Sequence, residues 1–251
     1  MRFTVALADA DGPLARRNPV AKLGAALVFT LALVPALDPV TPALALGLEL
    51  AVVPLFGVRY AVLARRTWPL LVAALGVVVT LVLFTADRST MLADALALTL
   101  RLLAVALPGV LVFATTDPTD LADALVQNVK APSRFAIGAL AAVRLLPLLG
   151  EEWETLGLAR RARGIDAGRN PLARVRLFAS TAFALLVGAI RRGTRLATAM
   201  DARGFDSGVP RTYARRQRFG PADAALVLGT VLAAALVIAA SVALGAFRPL
   251  L

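Results

Sequence analysis

The chain has 251 residues, 59% of them hydrophobic, and carries a formal net charge of +11. Its mean hydropathy of +0.78 points to a membrane protein. It contains no cysteine and no histidine, which excludes disulfide frameworks, Cys/His zinc sites and His-dependent acid–base or triad catalysis. Its lysines are Lys22 and Lys130, and neither follows a glycine, so no G-x-x-x-x-G-K-[ST] phosphate loop exists.

In chain order, residues 1–20 hold Asp9, Asp11, Gly12 and Pro13 and lack an apolar signal-peptide core, so the first span is expected to be retained. That span is predicted at about 23–40, with Lys22 able to snorkel at its start. A second, at 42–58, is interrupted by Glu49. The Asp38-Pro39-Val40-Thr41-Pro42 link reads as a tight turn that makes the two a hairpin. Further spans are predicted at 68–86, which is uncharged, and at 92–114, which carries Asp94 and Arg101. Glu49 lies ~11 Å and Arg101 ~13 Å from the outer end at 1.5 Å per residue. Charges at that depth pair or face a cavity, so a Glu49–Arg101 ion pair is expected, with an ion pathway as the alternative.

Asp117 before Pro118 is placed to cap a helix over 119–128, with Asp120 in its first turn. Two apolar runs follow: 135–149 has 15 residues and contains Arg144, and 177–190 has 14. Both are short for a span and flanked by charge, so they read as buried or interfacial helices. Residues 224–247 form a last span of 24 uncharged residues. The expected organisation is therefore a membrane domain over 1–114 and an inserted cytoplasmic domain over 115–221. A final transmembrane helix follows over 222–251.

The charge is concentrated. Residues 159–218 hold 14 arginines and three acids, a net +11, so the rest of the chain is neutral. With the N-terminus inside, the five spans put 24 basic residues inside and two, Arg88 and Arg248, outside. The excess can thus reflect topology alone or mark a docking surface.

Ala162-Arg163-Gly164 recurs 40 residues later as Ala202-Arg203-Gly204. Each closes an apolar helical run, and each glycine falls where a helix C′ residue would sit. An arginine there also complements the helix dipole, which is a purely structural role. Glu151, Glu152 and Glu154 can balance Arg191, Arg192 and Arg195 on the neighbouring helix; binding a metal is the alternative.

At these residues the chain resembles the T components of energy-coupling-factor (ECF) transporters. The resemblance begins at Pro13-Leu14-Ala15-Arg16-Arg17-Asn18-Pro19-Val20-Ala21-Lys22-Leu23, although Ala15 stands where the family usually has His and Asn18 where it has Asp. It continues through Thr115-Thr116-Asp117-Pro118 to Leu125, then through Arg144-Leu145-Leu146-Pro147-Leu148 and Glu152. It ends with Ala199-Met200-Asp201-Ala202-Arg203-Gly204-Phe205. The resemblance implies an all-α polytopic membrane protein with about five transmembrane helices. A cytoplasmic or interfacial helical coupling domain is inserted before the last span. It implies a non-catalytic scaffold in a bacterial inner membrane, its N-terminus and coupling domain cytoplasmic. Two long helices, over 134–163 and 172–203, would cross there.

The implied partners are two ABC-type ATPases, which hold the ATP and Mg, and a membrane-embedded substrate-binding S component. Vitamin or metal-ion uptake is the implied activity, and no cofactor would be bound directly. Ala162, Arg163, Gly164, Ala202, Arg203 and Gly204 would dock the ATPases, supported by Arg160, Met200, Phe205, Pro147 and Glu152. Two other functions fit the residues less well. An enzyme binding lipid pyrophosphates through the arginines lacks a D-D-x-x-D motif. Nucleic-acid binding is disfavoured by the apolar runs interleaved with the charge.

Overall fold

The computed structural model describes residues 12–36, 38–84, 91–168, 170–205 and 212–247. The helices are α1 (Pro19–Leu33), α2 (Val40–Val52, continued by a 3₁₀ turn Val53–Phe56), α3 (Tyr60–Phe84) and α4 (Met91–Thr115). They continue as α5 (Pro118–Asn128), α6 (Ser133–Ala162), α7 (Pro171–Ala202) and α8 (Pro221–Ala243). No strand occurs among the described residues. The chain is an all-α, multi-pass membrane protein with five helices long and apolar enough to cross a bilayer.

These five are α3, α4, α6, α7 and α8, which differs from the five spans expected. The runs at 135–149 and 177–190 lie within helices of 30 and 32 residues, close to the long helices expected at 134–163 and 172–203, because good helix formers such as Glu, Arg, Leu and Ala continue them, chiefly on the C-terminal side. Conversely, α1 has 15 residues, ~22 Å of helix, because the chain leaves helical geometry after Leu33 to make the turn at Asp38.

Contacts divide the chain into two compact units, one built from residues 132–215 and the other from residues 6–131 and 216–251. The expected border at residue 115 therefore falls inside the membrane unit, since α5 packs on α1. In that unit α1 packs on α8 and α4, α2 on α4 and α8, and α3 on α4. One core cluster joins Phe29, Leu33, Ala45, Ala104, Ala234 and Val237; a second joins Val53, Val58, Leu63, Leu107 and Leu111. Small residues let these helices approach closely, which is how helices associate where lipid is the solvent. Trp68, Leu75, Leu83 and Phe84 on α3 are exposed, as a lipid-facing helix requires.

Three polar knots tie the helix ends of this unit. Asn18 caps α1 by accepting the Val20 N–H at 2.9 Å. Its own N–H donates to Asp223 Oδ1 at 2.9 Å, while Asp223 Oδ2 accepts the Gly220 N–H at 2.8 Å, so one carboxylate joins the starts of α1 and α8. Lys22 does not snorkel. It is 2% exposed, and its ammonium donates to the carbonyls of Ala15 (3.3 Å) and Thr115 (2.8 Å) and to Thr116 Oγ1 (3.4 Å). Three acceptors within reach replace the water that snorkelling would have sought.

The third knot lies at the α1–α2 turn. Asp38 Oδ2 accepts the Thr41 N–H at 2.6 Å, and Oδ1 accepts the Thr41 hydroxyl at 2.9 Å. The Ser241 hydroxyl of α8 donates to Oδ2 at 3.3 Å. Burial disfavours the Asp38 charge, but the hydrogen bonds from Thr41, from its own backbone and from Ser241 outweigh it and hold the carboxyl below its ordinary range.

Asp38→Asn should destabilise the protein by about 1–3 kcal/mol, since it leaves buried hydroxyls mispaired. A carboxyl held low stabilises above its unfolded value and loses that contribution as pH falls through the folded one. Thermal unfolding in detergent should therefore show wild type losing its margin over the variant below about pH 4. An unchanged margin would remove the knot's role.

Candidate functional site

The second unit is built on α6 and α7. Asn170 caps α7 by accepting the N–H groups of Leu172 (3.0 Å) and Ala173 (3.3 Å), with Pro171 at the first helical position. Arg174 folds back to the Gly168 carbonyl with Nε at 3.1 Å and one terminal nitrogen at 2.9 Å, bracing the connection. Arg160 donates to the Leu177 carbonyl (3.2 Å) and Ser180 Oγ (2.6 Å). Trp153 and Phe178 meet as tilted rings with centroids 5.2 Å apart. Glu152 and Arg192 form an ion pair between the helices. Gly188 leaves room for it, since a Cβ there would stand 3.2 Å from Arg192 and 3.5 Å from Glu152. The expected balance of glutamates by α7 arginines is thus seen at this pair.

Both long helices end in the same way. The Ile165 N–H donates to the Arg160 carbonyl at 3.0 Å and the Gly164 N–H to the Arg161 carbonyl at 2.9 Å. At the other end the Phe205 N–H donates to the Met200 carbonyl at 3.0 Å and the Gly204 N–H to the Asp201 carbonyl at 2.9 Å. These paired bonds define a Schellman ending, and the glycines take the left-handed conformation it needs, with φ of 72° and 70°. Arg163 and Arg203 are the caps, with φ, ψ of −90°, 8° and −90°, 10°. The two endings match to within a few degrees.

Both arginines are exposed, and neither guanidinium has a hydrogen bond or ion pair among the described residues. Ala162 and Ala202 just before them are exposed, while Met200 and Phe205 are half-buried. Arg160 and Glu152 hold the two helices together, and Pro147 lies within α6 on an exposed face. A cleft of about 460 Å³ opens beside the first ending, lined by Trp153, Arg161, Ile165, Asp166, Arg174 and Phe178 among others. Among the described residues no group of three metal-ligating side chains lies together.

The expected Glu49–Arg101 pair is not formed. Arg101 donates to the Val34 carbonyl at the end of α1, while both Glu49 oxygens are buried without a hydrogen-bond partner among the described residues. Val34 lies near the turn that starts α2, whereas Glu49 lies in the last turn of α2, ~13 Å further along that helix. Equal depth counted from the sequence therefore did not mean adjacency. Sequence reasoning also missed Lys22 and Asp223 as tertiary ties. The signal was present in the N-terminal signature and in Thr115-Thr116-Asp117, which Lys22 joins.

The profile of the family described as "CbiQ: Cobalt transport protein" matches residues 11–214. The energy-coupling factor transporter transmembrane protein EcfT of Exiguobacterium sibiricum is 35% identical over 126 residues, 47% of this chain and 48% of that protein. That of Bacillus selenitireducens is 28% identical over 249 residues, 91% of this chain and 93% of the relative. EcfT 1 of Listeria monocytogenes is 30% identical over 220 residues, 79% and 82% of the two chains. The chain spans about half the length of the first of these relatives. A profile matched across residues 11–214, ending beyond the second Ala-Arg-Gly, shows that the chain belongs to the CbiQ cobalt transport protein family, with EcfT transmembrane proteins among its relatives.

Proposed function

We propose that the chain is the coupling subunit of an energy-coupling factor importer. In this reading the ends of α6 and α7 dock two cytoplasmic ATPases, which hydrolyse ATP that this chain cannot bind through a phosphate loop. The motion is passed to a membrane-embedded S component that reads the cargo, a vitamin or a metal ion. The observation that carries the reading is the pair of matching helix ends, each presenting an exposed arginine unpaired among the described residues. A guanidinium offers a rigid fork of donors to a partner's carboxylate and carbonyls and never loses its charge. Two like ends suit a partner present in two copies.

The topology supports the same reading. Although α6 and α7 are long enough to span, spanning would carry dense arginine across the bilayer, against the positive-inside rule. Lying at the inner surface, they offer Phe135, Leu146, Phe183, Leu186 and Ile190, all exposed, to a membrane partner. The N-terminus and both Ala-Arg-Gly ends are then cytoplasmic.

Changing both Arg163→Glu and Arg203→Glu should abolish co-purification with the ATPases, each arginine being worth about 2–4 kcal/mol of binding. Each single change should lower uptake while leaving one ATPase attached. Unchanged association of the double variant would falsify the docking role. Gly164→Val should act more mildly, since forcing a branched residue to positive φ costs about 1–2 kcal/mol and re-aims Arg163. Its membrane unit should keep wild-type thermal stability; a collapse of that unit would show instead that the ending serves folding alone.

A further inference from the structure

The membrane unit contains a cavity of about 550 Å³. Its wall comes from α1, α2 with its 3₁₀ turn, α4 and α8, and includes Phe29, Leu48, Val112 and Gly229. Along α8 it runs from Ala222 to Ala233, ~16 Å of helix. One end is bounded by Pro13 and Arg17, in the turn where α1 and α8 begin side by side.

Among the described residues, four lining the cavity carry polar side chains: Arg17, Lys22, Glu49 and Thr230. Three of them offer an anion no free donor. The Lys22 ammonium is engaged by Ala15, Thr115 and Thr116. The Thr230 hydroxyl donates to the Leu226 carbonyl at 2.9 Å. The Glu49 oxygens are buried and contribute no accessible polar surface. Arg17 remains. The residue is half-buried, lines the cavity at the end near the start of α1 and has no hydrogen bond or ion pair among the described residues.

We infer that this cavity binds one anionic phospholipid, its phosphate on Arg17 and one acyl chain along α1 and α8. The chemistry is complementary at both ends. A long apolar slot with a single cation at its mouth matches a molecule with one hydrocarbon chain and one phosphate. Basic pockets between membrane helices select anionic headgroups in this way. A soluble anion lacks the chain that such walls recognise, and a zwitterionic lipid brings a cation to a mouth that already holds one. The inference concerns the membrane unit alone and stands or falls separately from the docking of ATPases.

The test is native mass spectrometry of the full chain in detergent with phosphatidylglycerol and phosphatidylcholine added at equal concentration. Wild type should retain one phosphatidylglycerol in preference. Arg17→Gln should lower that occupancy about fivefold and leave phosphatidylcholine unaffected. Arg17→Lys should keep the preference. Gly229→Leu should displace the lipid, since a Cβ added there meets nothing within 4 Å and the side chain can grow into the slot. Equal retention of the two lipids would overturn the inference. So would unchanged occupancy in Arg17→Gln or Gly229→Leu, or full displacement of the lipid by inorganic phosphate.

Discussion

A helix end beside or within a bilayer has little water to satisfy its last N–H and C=O groups, and most of this structure follows from how those groups are met. Asn18 and Asp223 close the starts of α1 and α8, and Asp38 closes the α1–α2 turn. Asp117 accepts the Thr119 N–H at 2.7 Å to start α5, and Asn170 starts α7. The ends of α6 and α7 use left-handed glycines instead. A side-chain cap fixes where a helix begins without committing its neighbour. A Schellman ending reverses the chain and leaves the preceding arginine directed outward. The same requirement therefore produces both the stability of one unit and the presentation of Arg163 and Arg203 by the other.

The polar ties also explain why the membrane unit includes α5. The Lys22 ammonium holds the Thr115 carbonyl and the Thr116 hydroxyl, at the junction of α4 and α5, against the turn at Ala15. Gln217 adds to this by donating its N–H to Gln127 Oε1 at 2.9 Å and its amide to Asp120 at 3.3 Å. The chain leaving α7 is thus fastened to α5 before α8 starts. Apolar packing through alanines brings the helices near, and these buried hydrogen bonds select one register among many of similar hydrophobic energy.

The units divide the chemistry between them. In the membrane unit Lys22 and Thr230 of the cavity wall are committed to hydrogen bonds and the Glu49 oxygens are buried, which leaves Arg17 as the accessible cation. In the α6–α7 unit, Arg160, Arg174 and Arg192 are spent on internal contacts, whereas Arg163 and Arg203 are not. A basic segment is therefore not uniform: identical side chains serve as braces or as free donors according to the neighbour each helix position provides.

The sequence alone determined much. Hydropathy marked the membrane helices at 68–86, 92–114 and 224–247. Local rules placed the caps at Asp117 and the glycines at 164 and 204, because capping and left-handed turns depend on residues a few positions apart. The repeated Ala-Arg-Gly was legible for the same reason. Tertiary structure decided what depends on distant segments meeting. It set the true length of α1, buried Lys22 instead of letting it snorkel, and joined Asp38 to Ser241. It also separated Glu49 from Arg101, whose equal counted depth said nothing about facing. A one-dimensional pattern records how far along a helix a charge lies; only the packed helices fix which neighbour it can reach.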